Sequence, residues 1–311
     1  MSWEKYVKKS LVISSLACFT LGQNALDAAC SVSNGAQYNA ALGSPASCSS
    51  EMRLTSGFAL TTNATSLTTA VGTSLNPFVI DGDGLSGPYT INGGGNRILD
   101  IRPAAGSTYV SLGSTNSAAD VLFSNGSVRI SGGGGSATLQ MNNASGWAGI
   151  STITIESLGT SDFAVAGTFS GGVVFQATTS TVQADAALVL NGALSGSGSF
   201  IKTGTGTVTI TNGGFGANTY SGGTDISEGA INIQFNQALG TGAVAVSSSG
   251  QLQLQGGITV TNLLSLNGTG TGSGALVNES GTNTASGAIT LQSATTIGSS
   301  SGTLNLDAIS G

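Results

Sequence analysis

The feature that most constrains this chain is a segment, residues 195–234, in which short apolar runs alternate with hydroxyl side chains and glycine interrupts every run. Within 205–211, Val208 and Ile210 fall on one face of an extended chain and threonines fall on the other, which is the period of a half-buried strand. The run at 230–233 repeats this pattern. Glycine alone enters the φ > 0 region without steric cost, so the glycines predict tight corners. The segment therefore predicts short strands and no helix.

Short aliphatic runs recur along the rest of the chain, with centres roughly 8 to 14 residues apart and no amphipathic helical period between them. They predict short strands, among them strands at 97–101, 108–112, 137–141 and 163–166. That spacing also fits a β-sandwich or a barrel. Two features favour a solenoid: the runs are often only Leu-x-Leu or Ile-x-Ile, and the apolar residues are almost all aliphatic, as in stacked ladders of like side chains. We predict an all-β fold, a right-handed, single-stranded parallel β-helix (β-solenoid).

A partial internal recurrence supports this prediction. The element at 188–196 returns, one residue shorter, at 304–311. Three strands per coil would give coils of about 20 to 27 residues, which is within the range of repeat units that stack. We expect β-helix over 53–194, motif-bearing coils over 195–234, and a continuation of the β-helix over 235–311 that stops before a further repeat.

The segment 195–234 also carries an ordered set of anchor residues. They are Lys202, Gly204, Gly206, Val208, Ile210, Asn218, Tyr220, Gly222, Gly223, Thr224, Ile226, Gly229 and Ile231. In order and spacing this set resembles the passenger-associated transport repeat of bacterial type V autotransporters. It departs from the family pattern in one place, because residues 212–215 lengthen the connection between the first strand and the Asn-x-Tyr element. We expect this insertion to enlarge one loop.

The resemblance implies a function as well as a fold. In that family the passenger is an exported β-helix, and folding of its stacked coils outside the outer membrane is thought to help draw the chain through a translocating barrel. It implies a non-catalytic scaffold at the cell surface, in the outer membrane or outside the cell. It also implies two partners, the Sec translocon and an outer-membrane barrel that belongs to the same protein or to another.

The first 28 residues predict a cleaved signal peptide. Three lysines among the first nine residues precede an apolar run at 11–19 that is too short to span a bilayer. Small residues follow this run, and we place the cleavage after Ala28. A lipoprotein acylated at Cys30 is the weaker alternative, because Asp27 occupies the third position before that cysteine. The mature chain is therefore expected to be exported.

Two cysteines, Cys30 and Cys48, fall within an expected N-terminal cap at 29–52. In an oxidising compartment such a pair predicts a disulfide that closes the cap, and two free thiols are the alternative. Two cysteines in a chain without histidine make no zinc site unless carboxylates join them. We expect neither a metal nor another cofactor.

The ionisable residues restrict the chemistry further. The chain contains no histidine, which excludes Ser-His-Asp and Cys-His nucleophile arrangements. Its formal net charge is −6 and its basic residues are few and scattered, so nucleic acid is not an expected partner. The densest acidic spots pair Asp81 with Asp83 and Asp225 with Glu228, and both indicate turns.

Two other functions remain open. An adhesin or interaction module would bind host or neighbouring-cell surface molecules through its long face or through loops at 212–217 and 132–135. A β-helix polysaccharide lyase or hydrolase is the third interpretation, which a grouping of Asp81, Asp83 and Arg97 in one groove would favour. We expect no catalytic activity.

Overall fold

The structure is a computed structural model that describes the chain from Cys30 onward with gaps. The described residues are 30–48, 51–54, 58–60, 62, 64–67, 78–82, 89–112, 121–132, 135–142, 147–211 and 213–311. The predicted signal peptide at 1–28 lies outside them, as do Asp83 and Asn212.

The described residues form 28 strands, one α-helix and one 3-10 helix. The helix α1 spans Gly35–Gly43 and the 3-10 helix spans Pro45–Cys48. The strands are β1 Cys30–Val32, β2 Glu51–Leu54, β3 Phe58–Ala59, β4 Phe78–Gly82, β5 Tyr89–Asn92, β6 Arg97–Ile101, β7 Thr108–Leu112, β8 Val121–Ile130, β9 Ala137–Met141, β10 Gly149–Ile155, β11 Gly159–Phe163, β12 Gly167–Phe169, β13 Gly172–Phe175, β14 Thr181–Ala184, β15 Leu188–Leu190, β16 Leu194–Ser195, β17 Phe200–Thr203, β18 Thr207–Ile210, β19 Thr224–Ile233, β20 Val244–Gln255, β21 Thr259–Val260, β22 Leu264–Leu266, β23 Leu276–Ser280, β24 Thr282–Ala285, β25 Ile289–Leu291, β26 Ile297–Ser299, β27 Thr303–Leu306 and β28 Ile309–Ser310.

The strands stack in parallel as a β-solenoid, which confirms the predicted architecture at that level. The first ladder takes one strand from each coil, in the order β1, β2, β4, β7, β9, β11, β14, β17, β19, β20, β22, β25 and β28. The nine strands of this ladder from β9 to β28 come from nine consecutive coils.

The other faces of the coils carry three further sets of strands. A second ladder contains β12, β15, β18, β19, β20, β23 and β26. A seven-stranded sheet runs through β3, β5, β8, β10, β13 and β16, with β6 beside β8, and β21, β24 and β27 form a three-stranded sheet. The long strands β19 and β20 bend at a register shift and so belong to both ladders.

Coil length matches the prediction except between β2 and β9. Successive partners in the first ladder are 20 or 24 residues apart at Val182, Lys202, Ile226, Val246 and Leu266. The prediction is wrong for the coils between β2 and β9, because Met52 pairs with Ile80, Ile80 with Leu112 and Val110 with Leu139. In those coils the connections between strands contain more residues than a tight turn requires.

In β13, β14, β15, β17 and β18 alternate side chains are buried inside the coil and stack on their partners above and below. One buried row consists of Leu188, Val208, Ile231, Leu252 and Leu276. Removing such area from water contributes about 25 cal/mol per Å², so these rows supply most of the driving force for stacking.

The expectation of an almost purely aliphatic core is wrong between residues 147 and 220. Six buried aromatic residues lie there: Trp147, Phe163, Phe169, Phe175, Phe200 and Tyr220. The ring centroids of Phe175 and Phe200 are 5.0 Å apart and the rings are stacked. The sequence concealed this cluster because residues that touch between coils are separated along the chain by a whole coil.

Three of the four strands predicted at 97–101, 108–112, 137–141 and 163–166 are present at those residues, and the fourth is displaced. Strands at 97–101, 108–112 and 137–141 coincide with β6, β7 and β9. The strand predicted at 163–166 is wrong, since β11 ends at Phe163. Pairing with β9 and β14 on its two sides fixes β11, and this tertiary pairing outweighs the polar character of its sequence.

The recurring element at 188–196 and 304–311 does not occupy equivalent positions in the fold. In the first copy β15 pairs with β18 in the second ladder, whereas in the second copy β27 pairs with β24 in the three-stranded sheet. The recurrence therefore reflects a common pattern of strand and corner, not a structural repeat.

The N-terminal end of the described chain is covered by α1. The Oδ1 atom of Asn34 caps the helix by accepting a hydrogen bond from the backbone N–H of Gln37 at 3.0 Å. Tyr38 and Leu42 are fully buried, and the Tyr38 hydroxyl donates to the Ile98 carbonyl at 3.1 Å. This helix was not predicted, although an Asn cap followed by apolar residues three and four apart is a recognised helix signal.

A disulfide joins Cys30, in β1, to Cys48, with Cα atoms 4.8 Å apart. Because β1 pairs with β2, the bond fastens the cap to the first ladder. Replacing both cysteines by serine is expected to destabilise the cap by about 3 kcal/mol, since the bond closes a loop with a sequence separation of 18. Hydrogen exchange at the amides of α1 measures the effect. A reductant should reproduce it in the wild-type chain and leave the double variant unchanged; unaltered protection in both would contradict the prediction.

Candidate functional site

The anchor residues of the motif lie on two consecutive coils of the solenoid. Lys202 lies on β17, and Val208 and Ile210 lie on β18. The next coil contains Asn218 and Tyr220 in the connection that leads to β19. Strand β19 then carries the last anchors, Thr224, Ile226, Gly229 and Ile231.

Lys202 points into the coil, where it stands between the buried side chains of Val182 and Ile226. Its side chain is fully buried, and its Nζ donates hydrogen bonds to the carbonyl oxygens of Thr203 at 2.7 Å, Gly204 at 2.6 Å and Glu228 at 3.1 Å. An ammonium group has three N–H donors, so all of them are used. Because Glu228 belongs to the next coil, this one side chain joins two coils.

The burial of Lys202 changes its titration. Desolvation lowers the pKa of the Lys202 ammonium to about 8, while the charges of Glu228 and Asp185 act to raise it. The group therefore remains charged at neutral pH. A buried charge is costly unless hydrogen bonds satisfy it, and here backbone carbonyls do so.

Two glycines make the corner around the Lys202 ammonium possible. Gly204 and Gly229 have φ of +78° and +67°, in the left-handed region that favours glycine. A Cβ on Gly229 would lie 2.4 Å from the Gly204 carbonyl oxygen and 2.9 Å from Lys202 Nζ. Gly206 is crowded as well, because a Cβ there would lie 2.2 Å from the Ala186 carbonyl oxygen. We call Lys202, Gly204, Glu228 and Gly229 the lysine corner.

The apolar anchors pack inside the coils, as their alternation predicts. Val208, Ile210, Ile226 and Ile231 are all fully buried. Val208 pairs with Ile231 and Ile210 pairs with Ile233 of the next coil. These residues form the hydrophobic part of the same inter-coil junction as the lysine corner.

Asn218 connects three consecutive coils. Its Oδ1 accepts a hydrogen bond from the backbone N–H of Leu194 at 2.9 Å, and its Nδ2 donates to the carbonyl of Ala238 at 2.8 Å. Leu194 lies one coil before and Ala238 one coil after, so both ends of a single amide side chain are used. The side chain is nearly buried, which makes these bonds costly to remove.

Tyr220 fills the interior beside the corner. Its ring meets Phe175 edge-on, with centroids 5.3 Å apart, and its hydroxyl is 2.7 Å from the Thr224 hydroxyl. Gly222 and Gly223 lie between Tyr220 and Thr224, where the backbone passes close to the preceding coil. A Cβ on Gly222 would lie 2.5 Å from the Gly198 carbonyl carbon, and Gly223 has φ of +96°. Burial raises the pKa of the Tyr220 phenol well above its usual value.

The other residues singled out in the sequence are not brought together. Asp225 and Glu228 lie within β19 on either side of the register shift at which this strand bends, so the expected turn is a bend within a strand; Glu228 is exposed and Asp225 is half-buried. Asp81 lies in β4 of the first ladder, whereas Arg97 lies in β6 of the seven-stranded sheet. Asp83 falls outside the described residues.

The two loops named as contact candidates are only partly described. Residues 213–217 of the inserted loop are exposed, including Phe215 at 58 %, as the predicted loop enlargement requires. In the loop at 132–135 the structure describes Gly132 and Gly135.

The expectation that basic residues are scattered is wrong in one region. Arg97, Arg102 and Arg129 converge on the buried carboxylate of Asp100. The sequence hid this grouping because Arg129 is contributed by a different coil from the other two arginines.

Comparisons of this chain with protein-family models, with curated proteins and with solved structures found no match. Across the described ranges, no helix combines the length and apolar character needed to cross a membrane. In the same part of the chain, no group of three or more His, Cys, Asp or Glu side chains is placed to hold a metal ion. An open groove of about 500 Å³ passes beside the motif, lined in part by Ile201, Asp225, Ala245 and Leu264.

Proposed function

We propose that this chain is an autotransporter-type passenger, a right-handed β-helix that follows a cleaved signal peptide and leaves the cytoplasm through the Sec translocon. It folds at the cell surface or outside the cell as a non-catalytic scaffold. Residues 195–234 act as a passenger-associated transport repeat that supports folding and export across the outer membrane. A translocating barrel, in the same protein or another, is its partner.

The observation that carries this proposal is that two polar anchors of the motif bond neighbouring coils through buried side chains. Lys202 reaches from its own coil to the Glu228 carbonyl of the next, and Asn218 bonds the coil before it and the coil after it. Two of the anchors that produce the sequence resemblance thus fasten consecutive coils.

Fastened coils suit the proposed export mechanism for a physical reason. In a solenoid each coil contacts only its neighbours, so folding can start at one stable unit and spread along the chain. Each coil that closes buries aliphatic area worth about 25 cal/mol per Å² and presents a new edge for the following coil. A chain that folds in this way outside a pore cannot slide back without unfolding, and no nucleotide hydrolysis is required.

Gly229→Ala tests the proposal in cells that express the full gene. The added Cβ would clash with the Gly204 and Gly206 carbonyl oxygens, at 2.4 and 2.5 Å, and adds the cost of a left-handed φ, so we expect a loss of stability of about 2 kcal/mol or more. The ratio of surface-exposed to periplasmic chain, measured by protease access to intact and permeabilised cells, is expected to fall severalfold.

Gly214→Ala is the matched control. Gly214 also has a positive φ, +86°, but a Cβ there meets nothing within 4 Å. This variant should carry the cost of the backbone conformation alone and reach the surface nearly as well as the wild type. If Gly229→Ala reaches the surface at the wild-type rate although the purified variant is destabilised, the link between coil stability and export is disproved.

A further inference from the structure

We propose that the arginine cluster, defined as Arg97, Arg102 and Arg129 around Asp100, binds the carboxylate groups of an acidic sugar chain on the outer face of the seven-stranded sheet. This site lies outside residues 195–234 and does not depend on the export role proposed above.

The cluster is built around one fully buried carboxylate. Arg129 donates to both oxygens of Asp100, through Nε at 2.9 Å and through Nη2 at 2.7 Å. Arg97 Nη1 donates at 3.1 Å, and Arg102 Nε lies 3.2 Å from Asp100 Oδ1. The Ser66 hydroxyl donates to Asp100 Oδ2 at 2.6 Å. Asp100 thus holds three guanidinium groups close together.

Three guanidinium groups face the single buried carboxylate of Asp100, and the Oε1 atom of Glu156 lies 4.0 Å from Arg129 Nη1. Desolvation acts to raise the pKa of Asp100, but hydrogen bonds from Arg129 and Ser66 and the charges of Arg129 and Arg102 outweigh it, so the pKa is lowered and the carboxylate stays ionised. In a chain of formal net charge −6, the cluster brings three basic side chains together in one region.

Arg102 has more N–H donors than it has contacts within the described residues. Its side chain is 41 % exposed. Within the described residues its contacts are the ion pair through Nε and a hydrogen bond from Nη2 to the Ser66 hydroxyl at 2.9 Å. A guanidinium group has five N–H donors in a planar fork that matches a carboxylate. The cluster can therefore accept a second carboxylate from solvent, with Arg102 as its most accessible member.

The surroundings of the cluster indicate a sugar chain. Ser127 of β8 pairs with Thr152 of β10, and Arg129 pairs with Thr154, so half-buried hydroxyl side chains continue from the arginines onto the next coil. Neighbouring strands are about 4.8 Å apart, close to the length of one sugar unit.

Isothermal titration of the purified mature chain tests this site. The probes are an oligomer of galacturonic acid, a sulfated oligosaccharide without carboxylates, a neutral oligosaccharide of equal length, and sodium sulfate. We expect the galacturonate oligomer to bind best and to weaken with added salt. Arg102→Gln should raise its dissociation constant about tenfold, the effect of one charge-assisted bidentate pair.

The control variant for this experiment is Ser265→Asp. It changes the net charge by the same amount as Arg102→Gln but lies on β22 of the first ladder, away from the seven-stranded sheet, and should bind nearly as the wild type does. Arg102→Lys, which keeps the charge but not the fork, should bind between the two.

Three results would overturn the proposal. They are no binding of the galacturonate oligomer, equal binding by wild type and Arg102→Gln, and binding of sodium sulfate or the sulfated probe in preference to the carboxylate. The first two results would mean that the arginines serve only to tie coils together, and the third that they bind sulfate groups in preference to carboxylates.

Discussion

Replacing Val208 by aspartate is expected to unfold the coils around the motif and to lower stability by about 4 kcal/mol or more. Val208 is fully buried, and its neighbours in the inward row are Leu188 and Ile231, which are buried as well. An aspartate at this position must either bury a charge among apolar side chains or take up a proton, and both are costly. Because solenoid coils are stabilised by their neighbours, the damage should spread to the adjoining coils.

Urea denaturation followed by circular dichroism measures the loss, and hydrogen exchange locates it. Thr209→Asp is the matched control: it adds the same charge one position along β18, where the side chain faces outward and is half-buried. We expect that variant to lose well under 1 kcal/mol, as is usual for surface changes. Equal denaturation midpoints for the two variants would mean that the alternation within β18 does not separate inside from outside.

The features of the fold that could be predicted are those set by interactions between residues close together in the sequence. The alternation at 207–210 and 230–233 follows from the two-residue period of a strand, so β18 and the second half of β19 were predicted together with their inward residues. The corners were predictable for the same reason, because a glycine at a left-handed φ, such as Gly204, marks a turn locally.

The parts that were not predictable depend on contacts between coils. Lys202 was recognised as an anchor, but its burial was not, although it shares the inward face of Phe200 on β17. Asn283 is another buried polar residue, and its Oδ1 accepts from the backbone N–H groups of Gly257 and Ile258. Hydrogen-bond partners such as Gly257 and Ile258 belong to a neighbouring coil. No local sequence pattern indicates which residues of two coils will face each other.

Replacing Lys202 by methionine is expected to destabilise the chain by about 3 kcal/mol. Methionine matches the length of the lysine stem, so packing between Val182 and Ile226 is largely kept. The carbonyls of Thr203, Gly204 and Glu228 lose their shared donor, and the two coils lose the bond between them. Urea denaturation at pH 7 measures the difference.

Ile226→Met is the matched control for this substitution. Ile226 is the partner of Lys202 in the next coil and is equally buried, and exchanging one aliphatic side chain for another of similar volume should cost less than about 1.5 kcal/mol. If Lys202→Met is no less stable than Ile226→Met, the lysine corner contributes nothing beyond apolar packing, and the sequence motif needs another explanation.

The pH dependence of stability provides a second test of the lysine corner. The pKa of Lys202 falls from its ordinary value of 10.5 to about 8 on folding, so between these two values the unfolded chain binds more protons than the folded chain. Stability must then rise with pH across this window in the wild type relative to Lys202→Met, in which the group is absent. A relative stability that falls instead would mean that the three carbonyls hold the proton more strongly than burial releases it, which would make Lys202 a permanently charged bond between the coils.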